Sequence, residues 1–327
     1  MFKTLSCFLS IWLLAIVAGA AEKKSGDLIV IQGAAGEEEF GKLFSEWAKQ
    51  WMEVGERGGL KTTLIGGGKQ GEATDLDRLK ELLGKTPEGG EPMWLVMIGH
   101  GTFDRRQARF NLEGPDFTAT EMDGWLARFS RTVVVINAAS ASAPFMDRLS
   151  GPGRVVVTAT KSGSEVQFTR FGGYMARAIN SDEGDLDKDG QVSLLEAFLL
   201  AAKLTEEFYV SEGRLSTEHA LMDDKGDAKG TRSEFFKGVR AVKKPKGGLS
   251  LDGGRAHQLH VVLGEFEQSM PAELRQKRDA LEREVFVLRE KKNKLPEKDY
   301  YDQLENLMLR IGAIYGEAEA MMKKKAN

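Results

Sequence analysis

Asp185-Leu186-Asp187-Lys188-Asp189-Gly190-Gln191-Val192-Ser193-Leu194-Leu195-Glu196 spaces oxygen donors as a hard divalent cation requires. Calcium takes about six to eight oxygens from one short, tightly turned loop. Asp185, Asp187 and Asp189 fill the first, third and fifth positions, and Gly190 permits the sharp turn. Gln191 offers its backbone carbonyl, Ser193 stands ninth, and Glu196 stands twelfth, where a bidentate carboxylate closes the shell. Val192 is expected to pack inward, and Glu196 to open a helix running through Phe198, Leu199, Ala202 and Leu204. The motif is that of a single EF-hand loop, and the expected cofactor is Ca2+. Asp223-Asp224-Lys225-Gly226-Asp227 is a poorer echo, with a lysine at a ligand position and no closing glutamate, and reads as a solvated turn.

A second chemistry is suggested by two apolar runs. One ends in Ile98-Gly99-His100-Gly101, the other in Asn137-Ala138-Ala139-Ser140-Ala141-Ser142-Ala143. A histidine at one strand end and hydroxyls at the next could form the two halves of a nucleophilic site. A serine hydroxyl needs a base within hydrogen-bond reach, so the pairing of His100 with Ser140 or Ser142 decides whether hydrolysis is possible. Glu218-His219 could contribute a metal ligand or a hydrogen bond, with a satisfied structural histidine the preferred reading, and His257 with His260 forms no recognisable zinc set. Gly66-Gly67-Gly68-Lys69 lacks the phosphate-loop spacing.

These residues need elements to place them. Asp27–Gln32, Leu60–Ile65, Trp94–Ile98, Val133–Asn137 and Gly153–Thr160 read as strands that are apolar throughout. Helical spacing runs over Glu37–Val54, with Phe40, Leu43, Phe44, Trp47 and Trp51 on one stripe, and over Thr74–Leu83 and Thr120–Phe129. Continuously apolar strands alternating with helices indicate a mainly parallel sheet covered on both faces. Ligands in such sheets bind beyond the carboxyl ends of strands, where His100 and Asn137–Ala143 both fall.

On these residues the chain resembles the legumain-like cysteine peptidases, of the same structural clan as caspases. Trp94–Gly101 resembles the family's histidine strand; a hairpin around Phe110-Asn111-Leu112, the helix from Thr120 and the strand Val133–Asn137 follow in the expected order. Val155–Thr160 and Ser164-Glu165 resemble the next strand and pocket loop, so the likeness spans about Asp27 to Phe236. The resemblance implies that His100 matches the catalytic histidine, Ala139 the nucleophilic cysteine, and Asn137 the acidic residue before it. The chain therefore departs from the family at the thiol. The resemblance also implies a histidine acting from a separate strand end, poorly placed to activate a serine.

The composition is globular, with 41% hydrophobic and 29% charged residues, and a net charge of -3 gives no reason to expect nucleic acid. Lys3, the apolar run Leu5–Val17 and Ala18-Gly19-Ala20 read as a secretory signal cleaved after Ala20, with an uncleaved anchor as the alternative. Cys7, the chain's one cysteine, falls inside it and too early for a lipoprotein signal, so the cleaved chain has no thiol, and no stable membrane span is expected. Residues 25–242 are expected to form the α/β domain and 243–270, from Lys243-Lys244-Pro245-Lys246 through glycine pairs, a linker with a short strand at His257–Leu263. Over 271–324, Leu274, Leu281, Leu288 and Leu295 recur every seven residues. Beyond Pro296, Tyr301, Leu304, Leu307, Ile311 and Ile314 continue the pattern, giving a helical hairpin or coiled coil that packs on itself or joins copies.

The expected fold is thus a three-layer caspase/legumain-like α/β domain with a C-terminal helical hairpin. Three functions remain open for an exported protein, periplasmic or extracellular. One is a peptidase homologue without its thiol, serving as a calcium-binding module for a peptide or protein ligand. The second is a hydrolase using Ser140 or Ser142 with His100, and the third an envelope protein assembled through its coil.

Overall fold

Five runs of β-branched and aliphatic residues build a parallel sheet in the computed structural model, which describes residues 26–68 and 71–326. The segment expected to be a secretory signal, with Cys7, and Lys69 lie outside the described residues. The chain opens with β1 (Asp27–Gln32), α1 (Glu38–Arg57), β2 (Lys61–Ile65), α2 (Asp75–Lys85) and β3 (Met93–Ile98). A small antiparallel sheet follows, from β4 (Gly101–Phe103), β5 (Ala108–Phe110) and β6 (Phe117–Thr118). Then come α3 (Ala119–Leu126), β7 (Val133–Asn137), α4 (Ala143–Leu149), β8 (Arg154–Thr158), α5 (Phe171–Ile179), α6 (Leu194–Ser211) and β9 (Leu221–Asp223). The main sheet runs β2-β1-β3-β7-β8-β9, with β9 alone antiparallel to its neighbour.

Alternation along each strand feeds two cores. Leu28, Val30, Trp94 and Val96 face a layer built from α1, α5 and α6, through Trp47, Trp51, Phe171 and Phe198. Ile29, Ile31, Leu95 and Met97 face α2, α3 and α4, through Leu79, Met122 and Phe145. The approach of α1 to the sheet is close: a Cβ on Gly55 would stand 2.5 Å from Leu28 Cδ2, so a larger residue would push the layer away. The expected mainly parallel α/β architecture is what forms.

Beyond the sheet lie β10 (Phe236–Lys237), β11 (Arg240–Ala241), α7 (Glu265–Ser269), α8 (Ala272–Glu290) and α9 (Glu297–Ala326). The last two form the expected hairpin. Leu281, Val285 and Leu288 of α8 pack on Tyr300, Leu307 and Ile311 of α9, so the heptad seam is satisfied within the chain. The stretch expected to be a linker does more than connect: its Ala256, Leu259 and Val261 are buried in the sheet's α6-side core. Residues 256–258 form a 3-10 turn where a strand was expected, and only an isolated bridge, Ser193 to His260, remains of the pairing. Among the described residues no helix is long and apolar enough to cross a membrane.

Asp223 and Asp224 correct the expected solvated turn. Both are buried. Asp223 accepts the backbone N–H of Lys225, Gly226 and Ala228, and Asp224 accepts those of Gly253, Arg255 and Ala256. Loop backbone N–H groups thus occupy both Asp223 oxygens and Asp224 Oδ2, while Asp224 Oδ1 is buried without a hydrogen-bond partner among the described residues. Asp252 accepts from Asp224 N at 3.1 Å and from the Thr231 hydroxyl; burial, then the nearby Asp224 charge, push its carboxyl up to about 8.

Candidate functional site

The two strand ends are neighbours because β3 and β7 pair directly, Met97 opposite Asn137. Three residues further on, the chains are laced together. Gly101 N–H donates to Ser140 Oγ at 3.2 Å, and that hydroxyl donates back to the Gly101 carbonyl at 3.2 Å. A Cβ on Gly101 would come within 2.4 Å of the Ser140 carbonyl, so a side chain there would part the two ends. Ser140 is buried, with its donor and acceptor both engaged. Ser142, also buried, shares a 3.1 Å hydrogen bond with Thr160 Oγ1 and accepts from Thr160 N at 3.2 Å.

His100 faces elsewhere. Its Nε2 lies 3.1 Å from the Ala35 carbonyl in the turn between β1 and α1. Its ring stands edge-on to Phe40 and Phe44, each 5.3 Å between centroids, with Phe168 at 6.2 Å. Among the described residues no hydrogen bond joins His100 to either serine. The elements bring His100 and Ser140 to one corner but do not couple their polar atoms.

Ala139 is 1% exposed and belongs to the core of the α2–α4 side, whereas His100 packs with the α1 aromatics. Its amide donates to Asn137 Oδ1 at 3.1 Å. Two residues on, Ala141 has a φ of +48°, a left-handed conformation that costs a Cβ-bearing residue about 1 kcal/mol. Its amide is held by the Glu165 carbonyl at 2.8 Å. Glu165 also takes His219 Nδ1 at 2.6 Å and the Lys161 amide at 2.9 Å, fixing the loop after β8 beneath the turn. The buried Glu218 carboxylate accepts the Arg170 and Phe171 amides at the start of α5 and the Tyr209 hydroxyl; burial raises its pKa. Sequence reasoning had no signal for the Glu165–His219 contact, which joins residues 54 apart.

The acidic loop lies elsewhere, between α5 and α6. Carboxylate oxygens of Asp185, Asp187 and Asp189 come within 4.8 Å of one another. Asp187, Glu196 and His257 form an overlapping group with the same reach. Lys188 and Gly190 have φ of +64° and +88°, the left-handed turns that fold the loop back on itself. Val192 packs on the α6-side core, as its position in the loop requires. Glu196, 1% exposed, accepts Leu186 N and Asp187 N on one oxygen, and Ser193 N and the Ser193 hydroxyl on the other.

Ser193 therefore serves a capping box at the start of α6, with Glu196 N donating back to its hydroxyl at 3.2 Å. That hydroxyl is engaged with Glu196 and not turned to the aspartates. The Gln191 side chain is likewise engaged: its amide donates to Asp189, and its oxygen accepts Gly264 N at 3.2 Å. Burial, with the neighbouring Asp187 and Asp185 charges, raises the Asp189 pKa. The concentration of carboxylates and the tight turn fit a hard cation. His257 was missed in the sequence because it reaches Asp187, at 2.9 Å, from 70 residues away.

No family model and no curated protein matches the chain. Among solved structures, the chain is similar to the Drosophila initiator caspase Dronc at 12% identity, over 64% of this chain and 82% of that one, with a TM-score of 0.42. Caspase-1 from Spodoptera frugiperda matches at 10% identity over 56% and 77%, with a TM-score of 0.36. Protein GSU0716 from Geobacter sulfurreducens matches at 12% over 55% and 89%, with a TM-score of 0.35.

Proposed function

We propose that this protein is an exported calcium-binding module on a legumain-like frame that binds a peptide or protein ligand without cleaving it. The observation that carries the reading is the closed corner between β3 and β7. Ser140 bonds to both polar atoms of the Gly101 backbone and His100 is turned to Ala35; Ala139 stands where the resemblance would put the nucleophile. Acyl transfer requires a nucleophile and a base within reach of one another, and neither hydroxyl has that base.

The calcium part rests on the fit of Asp185, Asp187, Asp189 and Glu196 to a hard cation. These residues, with the Gln191 carbonyl, would hold the ion, which would supply a structural cross-link between the ends of the loop and no chemistry of its own. Ser193, engaged in the helix cap, would hold Glu196 in place.

The test has two arms. Purified protein is expected to cleave no member of a peptide library and to resist serine-directed phosphonates. Cleavage lost in both Ser140→Ala and His100→Ala would establish the hydrolase instead. Calorimetry is expected to show calcium binding that Asp185→Ala and Glu196→Gln each weaken; identical heats in all three proteins would remove calcium from the reading.

A further inference from the structure

The hairpin does not lie flat on the α/β body. Between them is a cavity of 380 Å3, within the size range of about 300–1,000 Å3 usual for small-molecule sites. Its walls come from both sides: Leu251 and Val239 from the body, Val285 and Phe286 from α8, Met308 and Ile311 from α9. Met308 is half exposed, an apolar wall facing space that its neighbours do not fill.

The charges around this cavity are unbalanced. Its one acidic lining residue, Glu282, is already engaged, accepting from Gln258 at 3.2 Å and lying 3.6 Å from Arg278. His257 is taken by Asp187. Arg240 and Arg289 also line the cavity, and neither side chain has a carboxylate or hydrogen-bond partner among the described residues. Lys225 adds a third cation, its Nζ 4.8 Å from the centre of the Phe286 ring. A guanidinium presents paired N–H donors in a fork that matches a carboxylate.

We infer that this cavity binds an amphiphilic carboxylate, of the chemical class of a medium-chain fatty acid. The chain would lie against Phe286 and Met308, with the head on Arg240 and Arg289. Apolar walls alone would accept any hydrophobe; two unpaired arginines select an anion. Because the body and hairpin each supply a wall and an arginine, the ligand would join them. This site is separate from the strand-end corner and does not depend on whether that corner is catalytic.

Calorimetry of the full chain with decanoate tests the assignment. One saturable site is expected, with decylammonium bound at least about tenfold more weakly and acetate not bound. Arg240→Glu and Arg289→Glu lie on exposed side chains and preserve the fold; each should weaken decanoate by about tenfold or more. Met308→Trp, which narrows the cavity at its apolar wall, should do the same with an unchanged circular dichroism spectrum. The assignment is overturned by the absence of a saturable heat, by equal binding of decylammonium, or by arginine variants within about twofold of the parent. A dimer in light scattering that Met308→Trp dissociates would put a second copy in the cavity, and would overturn it too.

Discussion

Restoring the missing thiol is the sharpest perturbation of the strand-end corner. Ala139→Cys adds one sulfur atom at a side chain that is 1% exposed and packed in the α2–α4 core. The room is small: a Cβ on Gly101 would already stand 3.4 Å from Ala139 Cβ. Inserting an atom into such packing costs about 1–3 kcal/mol. Apolar burial also raises a thiol above its free pKa of about 8.5, so at pH 7.5 less than about a tenth is thiolate. Reaction then requires the corner to open, which breaks the two Ser140–Gly101 hydrogen bonds and uncovers apolar side chains. An opening cost of about 2.7 kcal/mol suppresses the reactive population about a hundredfold. In a Cys7→Ser background, which leaves one thiol, disulfide-reagent labelling in native buffer should be at least about a hundredfold slower than in urea. Peptide cleavage should remain absent. Native labelling within about tenfold of the urea rate would refute the closed corner. Cleavage that His100→Ala abolishes would refute it more completely, by showing that only the sulfur was lacking.

Glu196→Gln should lower stability by about 2–4 kcal/mol in urea denaturation, because one acceptor oxygen facing backbone N–H groups becomes a donor. Calcium at about a hundred times its dissociation constant should stabilise the parent by about 2.7 kcal/mol and the variant by much less. Arg278→Met should cost about 3–5 kcal/mol in the same assay, since it strands the buried Glu267 carboxylate that Arg278 pairs with. Glu218 gives a pH signature. Its folded pKa is raised by burial above 4.5, so the folded state holds the proton more tightly than the unfolded chain. Its contribution is therefore greatest below pH 4.5 and declines as pH rises through the folded value. Glu218→Gln should flatten that part of the urea-midpoint profile; an unchanged slope would exclude Glu218 as its source.

What the sequence made legible was local or periodic. The strands β1, β3, β7 and β8 were readable because each is apolar on both faces, and α1 because Phe44, Trp47 and Trp51 share one stripe. The turn chemistry of the acidic loop and the inward Val192 were readable for the same reason, being fixed within twelve consecutive residues. Long-range partners were not. No spacing rule links His257 to Asp187, Glu165 to His219, or Asp252 to Asp224. The stretch around Gly247-Gly248 and Gly253-Gly254 has a linker's composition, yet Ala256, Leu259 and Val261 are core, because three apolar residues suffice to fill a gap beside α6. Ser193 answers to two roles, because a capping serine and a ninth-position oxygen have the same sequence signature, and the cap on α6 became visible only in the structure.

Those three core residues also set when the body can close during synthesis. A chain emerges from its N-terminus, so every sheet strand is made before Ala256, Leu259 and Val261 exist. Until Val261 has left the ribosome, α6 lacks the apolar side chains that cover it, and Leu194 N has no Leu259 carbonyl to bond. The nascent body thus lacks its last buried side chains until residue 261 is made, and the segment that joins it to the hairpin is also the piece that completes its core.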